Sequence, residues 1–204
     1  MWIYQKQLQY PVKIERPNPR LAGIIITALG GPDGETGAAM RYLNQRYTMP
    51  DGRVVATLTD IGSEELGHHE MVASIVYQLT RNLTTDEIIA GGFDKYYADN
   101  GAGIFPASAS GVPFNAMSIA SKDDALANIH EDLAAEQKAR AMYDNILRLS
   151  DDPDVNDVIK FLRQREVVHF QRFGEALRRT QEQLDQKNYY AFNPEYRVNK
   201  NAKK

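Results

Sequence analysis

Apolar residues recur at spacings of three and four along four long stretches of the chain, the period of helices with one buried face. Val54, Leu58, Ile61, Val72, Ile75, Val76 and Leu79 predict a helix over about 53–79. Ile129, Leu133, Tyr143 and Leu147 predict another over about 122–149, and Val155, Ile159, Leu162, Phe173 and Ala176 a last one over about 153–184. A first helix over about 19–47 is interrupted at Gly30-Gly31-Pro32-Asp33-Gly34, where the chain bends or restarts. Met49-Pro50-Asp51-Gly52 reads as a turn, and Ser150-Asp151-Asp152-Pro153 as a helix stop followed by an N-cap.

The remaining segments have no helical period. Residues 1–20 form an arm in which Tyr10-Pro11-Val12-Lys13-Ile14 alternates like an edge strand, while Pro17 and Pro19 forbid a helix. Thr84-Thr85-Asp86-Glu87 opens a short helix with a capping box. Residues 91–120 are rich in Gly, Ala, Ser and Pro, and residues 186–204 are a polar tail carrying Tyr189, Tyr190 and Tyr196. Two helix hairpins joined by one long crossover define an all-α, ferritin-like four-helix bundle. We expect one domain over 1–185, counting the arm, followed by the short C-terminal tail. Arm and crossover are both long enough to predict self-association, with Tyr4, Tyr10 and Val12 as anchors for a neighbour.

Composition narrows the classes. Of 204 residues, 43% are hydrophobic and 25% charged, an ordinary globular balance that excludes a disordered chain and a membrane bundle. The net charge of −3 lacks the basic footprint of a nucleic-acid binder. With no cysteine, thiolate zinc sites, iron–sulfur clusters and cysteine nucleophiles are excluded. The start Met1-Trp2-Ile3-Tyr4 has no basic segment leading into an apolar one, which predicts a protein that is not secreted and has no membrane span.

The chemistry lies where the apolar stripes are broken. Glu65 and His68 fill the gap between Ile61 and Val72, and Glu166 and His169 the gap between Leu162 and Phe173. Glu136 falls in phase between Leu133 and Tyr143, and Glu35 in phase with Ala39 and Tyr42. Each helix thus points an acid at the bundle axis. A buried carboxylate must be protonated, paired or metal-bound. Both Glu-x-x-His turns place their two side chains on one face, and each follows a lone Glu by thirty residues. This is the ligand set of a di-iron or di-manganese carboxylate site. By phase, His69 falls beside the site or at the surface, and His130 at the surface. Glu64, Glu70, Glu131 and Asp132 read as solvated or interfacial. Arg140 is within reach of Glu136 and reads as an ordinary helix ion pair.

Gly30-Gly31-Pro32-Asp33-Gly34-Glu35, the run Thr59 to His68, Asp151-Asp152-Pro153 and the run Phe161 to His169 resemble the manganese catalase family. The opening residues, Met1-Trp2-Ile3-Tyr4 with Leu8 to Lys13, are more narrowly similar to its CotJC-type spore coat members. The resemblance implies two manganese ions per chain and no haem. It assigns Glu35, Glu65 and His68 to one ion and Glu65, Glu136 and His169 to the other. It also implies Glu166 as a proton-handling group outside the ligand shell and Tyr42 as an outer tyrosine. The implied activity is disproportionation of hydrogen peroxide. A hexamer, coat-protein partners and a spore coat or cytoplasmic location in a spore-forming bacterium follow from the same likeness. Two departures stand out: the chain stops soon after its fourth helix, and Ala135 sits where some members carry an arginine. Two other readings stay open, a di-iron oxidase or ferroxidase and a structural coat protein with a vestigial site. The hard oxygen and imidazole donors suit manganese and iron alike.

Overall fold

A computed structural model of the chain describes residues 7–97 and 104–187. Among the described residues six α-helices are formed: α1 (Pro19–Gly30), α2 (Glu35–Gln45), α3 (Gly52–Thr80), α4 (Thr85–Ala90), α5 (Ala125–Leu149) and α6 (Pro153–Lys187). Short 3₁₀ turns occupy Arg46–Thr48, Asp94–Tyr97 and Ala116–Ile119. Among the described residues there is no β-strand, only an isolated bridge between Ala107 and Pro113.

Local chemistry sets the boundaries. Asn18 caps α1 through the Leu21 amide, with Pro19 at the first helical position, where its missing N–H costs nothing. The interrupted first helix is two helices. Gly31 closes α1 by donating to Thr27 O at 2.9 Å, and the chain restarts at Glu35. Asp51 caps α3, and Thr84 with Glu87 completes the capping box of α4. α5 starts three residues later than its apolar period predicts, because the Asp124 carboxylate accepts from Ala127 N at 2.8 Å and so caps it. Asp152 performs the same service for α6, accepting from Asp154 N at 2.9 Å.

α2 packs on α3 and α5 on α6, and the two hairpins meet mainly through α3 against α6. The apolar core falls into two clusters. One is built on Leu21, Ile25, Ile75, Val158 and Leu162 with their neighbours, the other on Tyr42, Leu58, Ile61, Ile129 and Phe173. On both α3 and α6 the polar pair lies between the residues of the two clusters, so the bundle carries a charged layer at mid-height.

The described part of the arm is extended but pairs with no strand among the described residues. Val12 and Ile14 are buried and Pro11 and Lys13 exposed, as the alternation requires. The partner is a side chain. Gln78 accepts from Ile14 N at 2.7 Å and donates to Val12 O at 3.0 Å, supplying one donor and one acceptor as a neighbouring backbone would. Tyr10 stacks on Phe161 at 4.8 Å and donates to Asp157 at 2.7 Å. Tyr10 and Val12, expected as anchors for a neighbour, are therefore used within the chain, while Tyr4 lies outside the described residues. The crossover likewise packs inward through Phe93, Tyr96 and Ala107. Gly30 permits this: a Cβ there would stand 2.2 Å from Ala107 N and Pro106 C. The tail tyrosines lie outside the described residues. Among the described residues no helix is long and apolar enough to cross a membrane.

Candidate metal centre

The mid-height layer gathers Glu35 from α2, Glu65 and His68 from α3, Glu136 from α5, and Glu166 and His169 from α6. None exceeds 3% exposure. Glu65 is central: one oxygen lies 2.7 Å from His68 Nδ1 and the other 2.7 Å from His169 Nδ1. Around this bridge His68 Nδ1 stands 3.9 Å from Glu35 and 4.0 Å from Glu166, and His169 Nδ1 stands 3.6 Å from Glu136. Glu65, His68, Glu166 and His169 each offer a donor atom within 4.8 Å of the others.

A second layer fixes the imidazoles. The Glu64 carboxylate faces both Nε2 atoms, at 3.4 Å from His68 and 3.2 Å from His169. Arg165 holds it with two hydrogen bonds, of 2.6 and 3.2 Å, and Gln9 of the arm donates to it at 3.0 Å. Such an outer partner fixes ring orientation and leaves Nδ1 free as the ligand. Two buried tyrosines face the layer. Tyr143 donates to Glu35, and Tyr42 lies against Glu136 with its ring packed on Phe173.

The charges do not balance unaided. Burial, reinforced by neighbouring carboxylates, pushes Glu35 and Glu166 well above the usual carboxylate range. Burial also raises Glu136. For Glu65 burial acts upward too, but His169 and His68 outweigh it and hold the group well below that range. The imidazoles respond in kind: against burial, the Glu65 charge leads in raising His68 to about 10 and His169 to about 12. Both Glu136 oxygens, Glu65 Oε1, Glu166 Oε1 and both His169 nitrogens make no aligned hydrogen bond. Glu65 Oε1 and His169 Nδ1 are thus in contact without being aimed at each other. That is the arrangement of donors aimed at a shared cation, and their hard oxygens and imidazole nitrogens fit manganese or iron.

Three sequence readings need correction. Asp132 is not solvated but fully buried, because it lies one turn before Glu136 on the inner face of α5. Glu64 is mostly buried rather than solvated, drawn in by the two imidazoles and Arg165. Arg140 does form an ordinary helix ion pair, but with Asp144 at 2.8 Å instead of Glu136, whose side chain turns inward. His69 sits half-buried against Thr36, and His130 is exposed, as phase predicted. In the sequence Tyr143 reads as core packing. The signal was available: Tyr143 follows Glu136 by seven residues, as Tyr42 follows Glu35. Each tyrosine serves the lone Glu of the other half.

A helical bundle with a buried glutamate–histidine layer is the architecture in which carboxylate di-metal sites are built. Residues 1–191 match the family described as manganese containing catalase, and the chain belongs to that family. Protein CotJC of Bacillus subtilis is 49% identical over 190 residues, covering 93% of this chain and all of that one. A probable manganese catalase of Clostridium acetobutylicum is 33% identical, covering 93% of this chain and 85% of its own. Among solved structures, KatB, a manganese catalase from Anabaena, superposes with a TM-score of 0.80 at 29% identity, covering 87% of this chain and 80% of that one.

Proposed function

We propose that this chain is a manganese catalase converting two hydrogen peroxide molecules to two waters and dioxygen. The observation that carries the proposal is the mid-height layer, where three buried glutamates and two histidines surround the Glu65 carboxylate and Glu65, Glu136, Glu166 and His169 all keep donor atoms without an aligned hydrogen bond. Glu35, Glu65 and His68 would hold one ion and Glu65, Glu136 and His169 the other. Two manganese ions, when bound, supply a couple that stores the two electrons exchanged between the peroxide molecules.

The protein's share is proton handling. Oxidising one peroxide releases two protons, and reducing the other consumes two. Glu166 sits among the ligands, and burial with neighbouring carboxylates favours its protonated form. It serves as a proton acceptor and donor held outside the ligand set. The Tyr143 hydroxyl fixes Glu35, and Tyr42 lies against Glu136. Glu64 holds both imidazoles with Nδ1 inward. The likeness to CotJC along that protein's whole length supports a location in the spore coat.

The test is the metal content of the purified protein together with oxygen release from peroxide. Two manganese per chain with oxygen release is the expected result. Iron in both positions without oxygen release would favour a di-iron oxidase, and a metal-free inactive protein a purely structural coat subunit. Glu166→Gln keeps the side chain's size and removes its titration, so it should retain manganese and lose about 100-fold or more in turnover. A Glu166 oxygen within about 2.2 Å of an ion in the loaded protein would place it among the ligands and defeat that role.

A further inference from the structure

We propose that Gln9 is a positioning residue for the His68 imidazole, and that the arm carrying it is thereby coupled to the metal centre. A docked arm favours the ion at the His68 position, and that ion favours the docked arm. The inference rests on the reading of the mid-height layer as a metal centre and is independent of the reaction performed there.

The arm is laid across α3 and α6. Glu15 N donates to Asp154 at 3.2 Å and Arg81 donates to Ile14 O at 2.9 Å. Gln78 holds Ile14 N and Val12 O, and Tyr10 is held by Phe161 and Asp157. Asp154, Asp157 and Phe161 recur at three and four along α6, and Arg165, which holds Glu64, is next in that row. The described arm therefore leads from the end of α3 and the start of α6 to mid-height, where Gln9 meets the charged layer.

Gln9 uses both ends of its amide. Its Nε2 donates to Glu64 Oε1 at 3.0 Å, and its Oε1 stands 3.2 Å from His68 Nε2. The carboxylate can only accept, so the amide end against it must be the nitrogen and the other end the oxygen. Gln9 Oε1 therefore accepts from His68 Nε2–H, which leaves the lone pair of the neutral ring on Nδ1, the atom turned towards Glu65.

Glu64 does not replace this contact. Its Oε1 already accepts from Arg165 Nε at 2.6 Å and from Gln9 at 3.0 Å, and His68 Nε2 is the most distant of the three at 3.4 Å. Two closer donors fill the two lone pairs of that oxygen, so the His68 N–H falls to Gln9. On the other side His169 Nε2 faces the second Glu64 oxygen at 3.2 Å and has no such amide beside it among the described residues. The two imidazoles are thus supported unequally, and only His68 depends on the arm. Gln9 is itself solvent-exposed whereas His68 has no exposed surface, so replacing Gln9 removes a hydrogen bond from the ring without removing core packing.

Loss of an outer partner of a metal-ligating histidine typically costs about 10–100-fold in affinity, and with Glu64 still beside the ring we expect the lower end of that range. By linkage the ion must strengthen docking of the arm by the same factor.

The test is Gln9→Leu, which keeps the bulk of the side chain and removes both amide contacts. Manganese(II) titrated calorimetrically into the metal-free protein should bind about tenfold more weakly at one of the two positions and unchanged at the other. The metal-free melting temperature should stay at the wild-type value. Limited proteolysis reads the reciprocal effect: manganese should slow cleavage within residues 7–17 of the wild type by about tenfold more than in Gln9→Leu. If Gln9→Leu does not fold, Gln9→Ala asks the same question. Wild-type affinity at both positions would overturn the proposal, and so would equal protection of the arm by manganese in the two proteins. Weakening at both positions in step with a lower metal-free melting temperature would mark a merely structural arm and overturn it too. A wild type that takes up no manganese would defeat the metal reading and this proposal together. One that binds manganese and releases no oxygen would defeat the peroxide reading alone, and the titration would still decide the role of Gln9.

Discussion

Glu64 is the perturbation with the most readable consequence, because one carboxylate faces both imidazoles. In Glu64→Gln the shape is kept, the charge is lost, and one of the two acceptors becomes a donor that opposes Arg165 or an imidazole N–H. Loss of an outer partner of a metal-ligating histidine typically costs about 10–100-fold in affinity. Glu64 lies 3.4 Å from His68 Nε2 and 3.2 Å from His169 Nε2, so both manganese positions should weaken, each by about 1.4–2.7 kcal/mol. The metal-free fold should suffer less. The Arg165 pair, 27% exposed on the arginine side and discounted for solvent screening, contributes about 1 kcal/mol of that loss, and the contacts with Gln9 and the two imidazoles add to it. Calorimetric titration of the metal-free protein with manganese measures the first quantity and thermal unfolding the second. Wild-type affinity at both positions would refute the clamp, and weakening at one alone would show that only one imidazole depends on it.

Three further outcomes are expected. Gly30→Ala drives a Cβ into the backbone of Pro106 and Ala107, which cannot rotate aside, so it should cost about 3 kcal/mol and lower the melting temperature by about 6–12 °C; an unchanged melt would refute the close contact. Gln78→Leu strands Ile14 N and Val12 O, and should cost about 2 kcal/mol and expose residues 7–17 to proteolysis, read as cleavage rate under native conditions. The imidazoles of the metal-free protein have raised affinities for protons, so their contribution to stability is complete below about pH 6.5 and is lost as pH climbs through about 10 for His68 and about 12 for His169. Manganese must displace those protons, so loading in weak buffer should acidify the solution and affinity should rise with pH; uptake without proton release would contradict the charge assignment.

The sequence revealed the bundle because its apolar stripes are long and their interruptions fall in phase. Glu65, His68, Glu136, Glu166 and His169 were legible for that reason: a polar residue in a buried phase has few explanations. Glu64 was not, because a residue adjacent to the inward position points about 100° away and reads as solvent-facing. Only the approach of α6, bringing His169 and Arg165, turns that flank inward. Asp132 misled for the opposite reason. It is in phase with Glu136, but its neighbour Glu131 and the charged surroundings concealed the register. The arm's alternation was correct and its partner was not, since no local pattern announces that a glutamine will stand in for a strand.

The two Glu-x-x-His turns are equivalent in sequence and opposite in electrostatics. Glu65 lies against both imidazoles, and their charges outweigh burial to keep it ionised. Glu166 reaches His68 only at 4.0 Å and is crowded by Glu136, Glu65 and Glu35, which add to burial and favour its protonated form. Once Glu65 has taken both Nδ1 contacts, the second turn's carboxylate finds its places beside the imidazoles occupied and is left among like charges. A symmetric motif thus yields one group suited to bridging cations and one suited to holding a proton, the separation of proton affinities on which acid–base chemistry at a single site depends. Exchanging the two environments would require moving a histidine, so the division of labour resides in the placement of His68 and His169 on facing helices rather than in either glutamate.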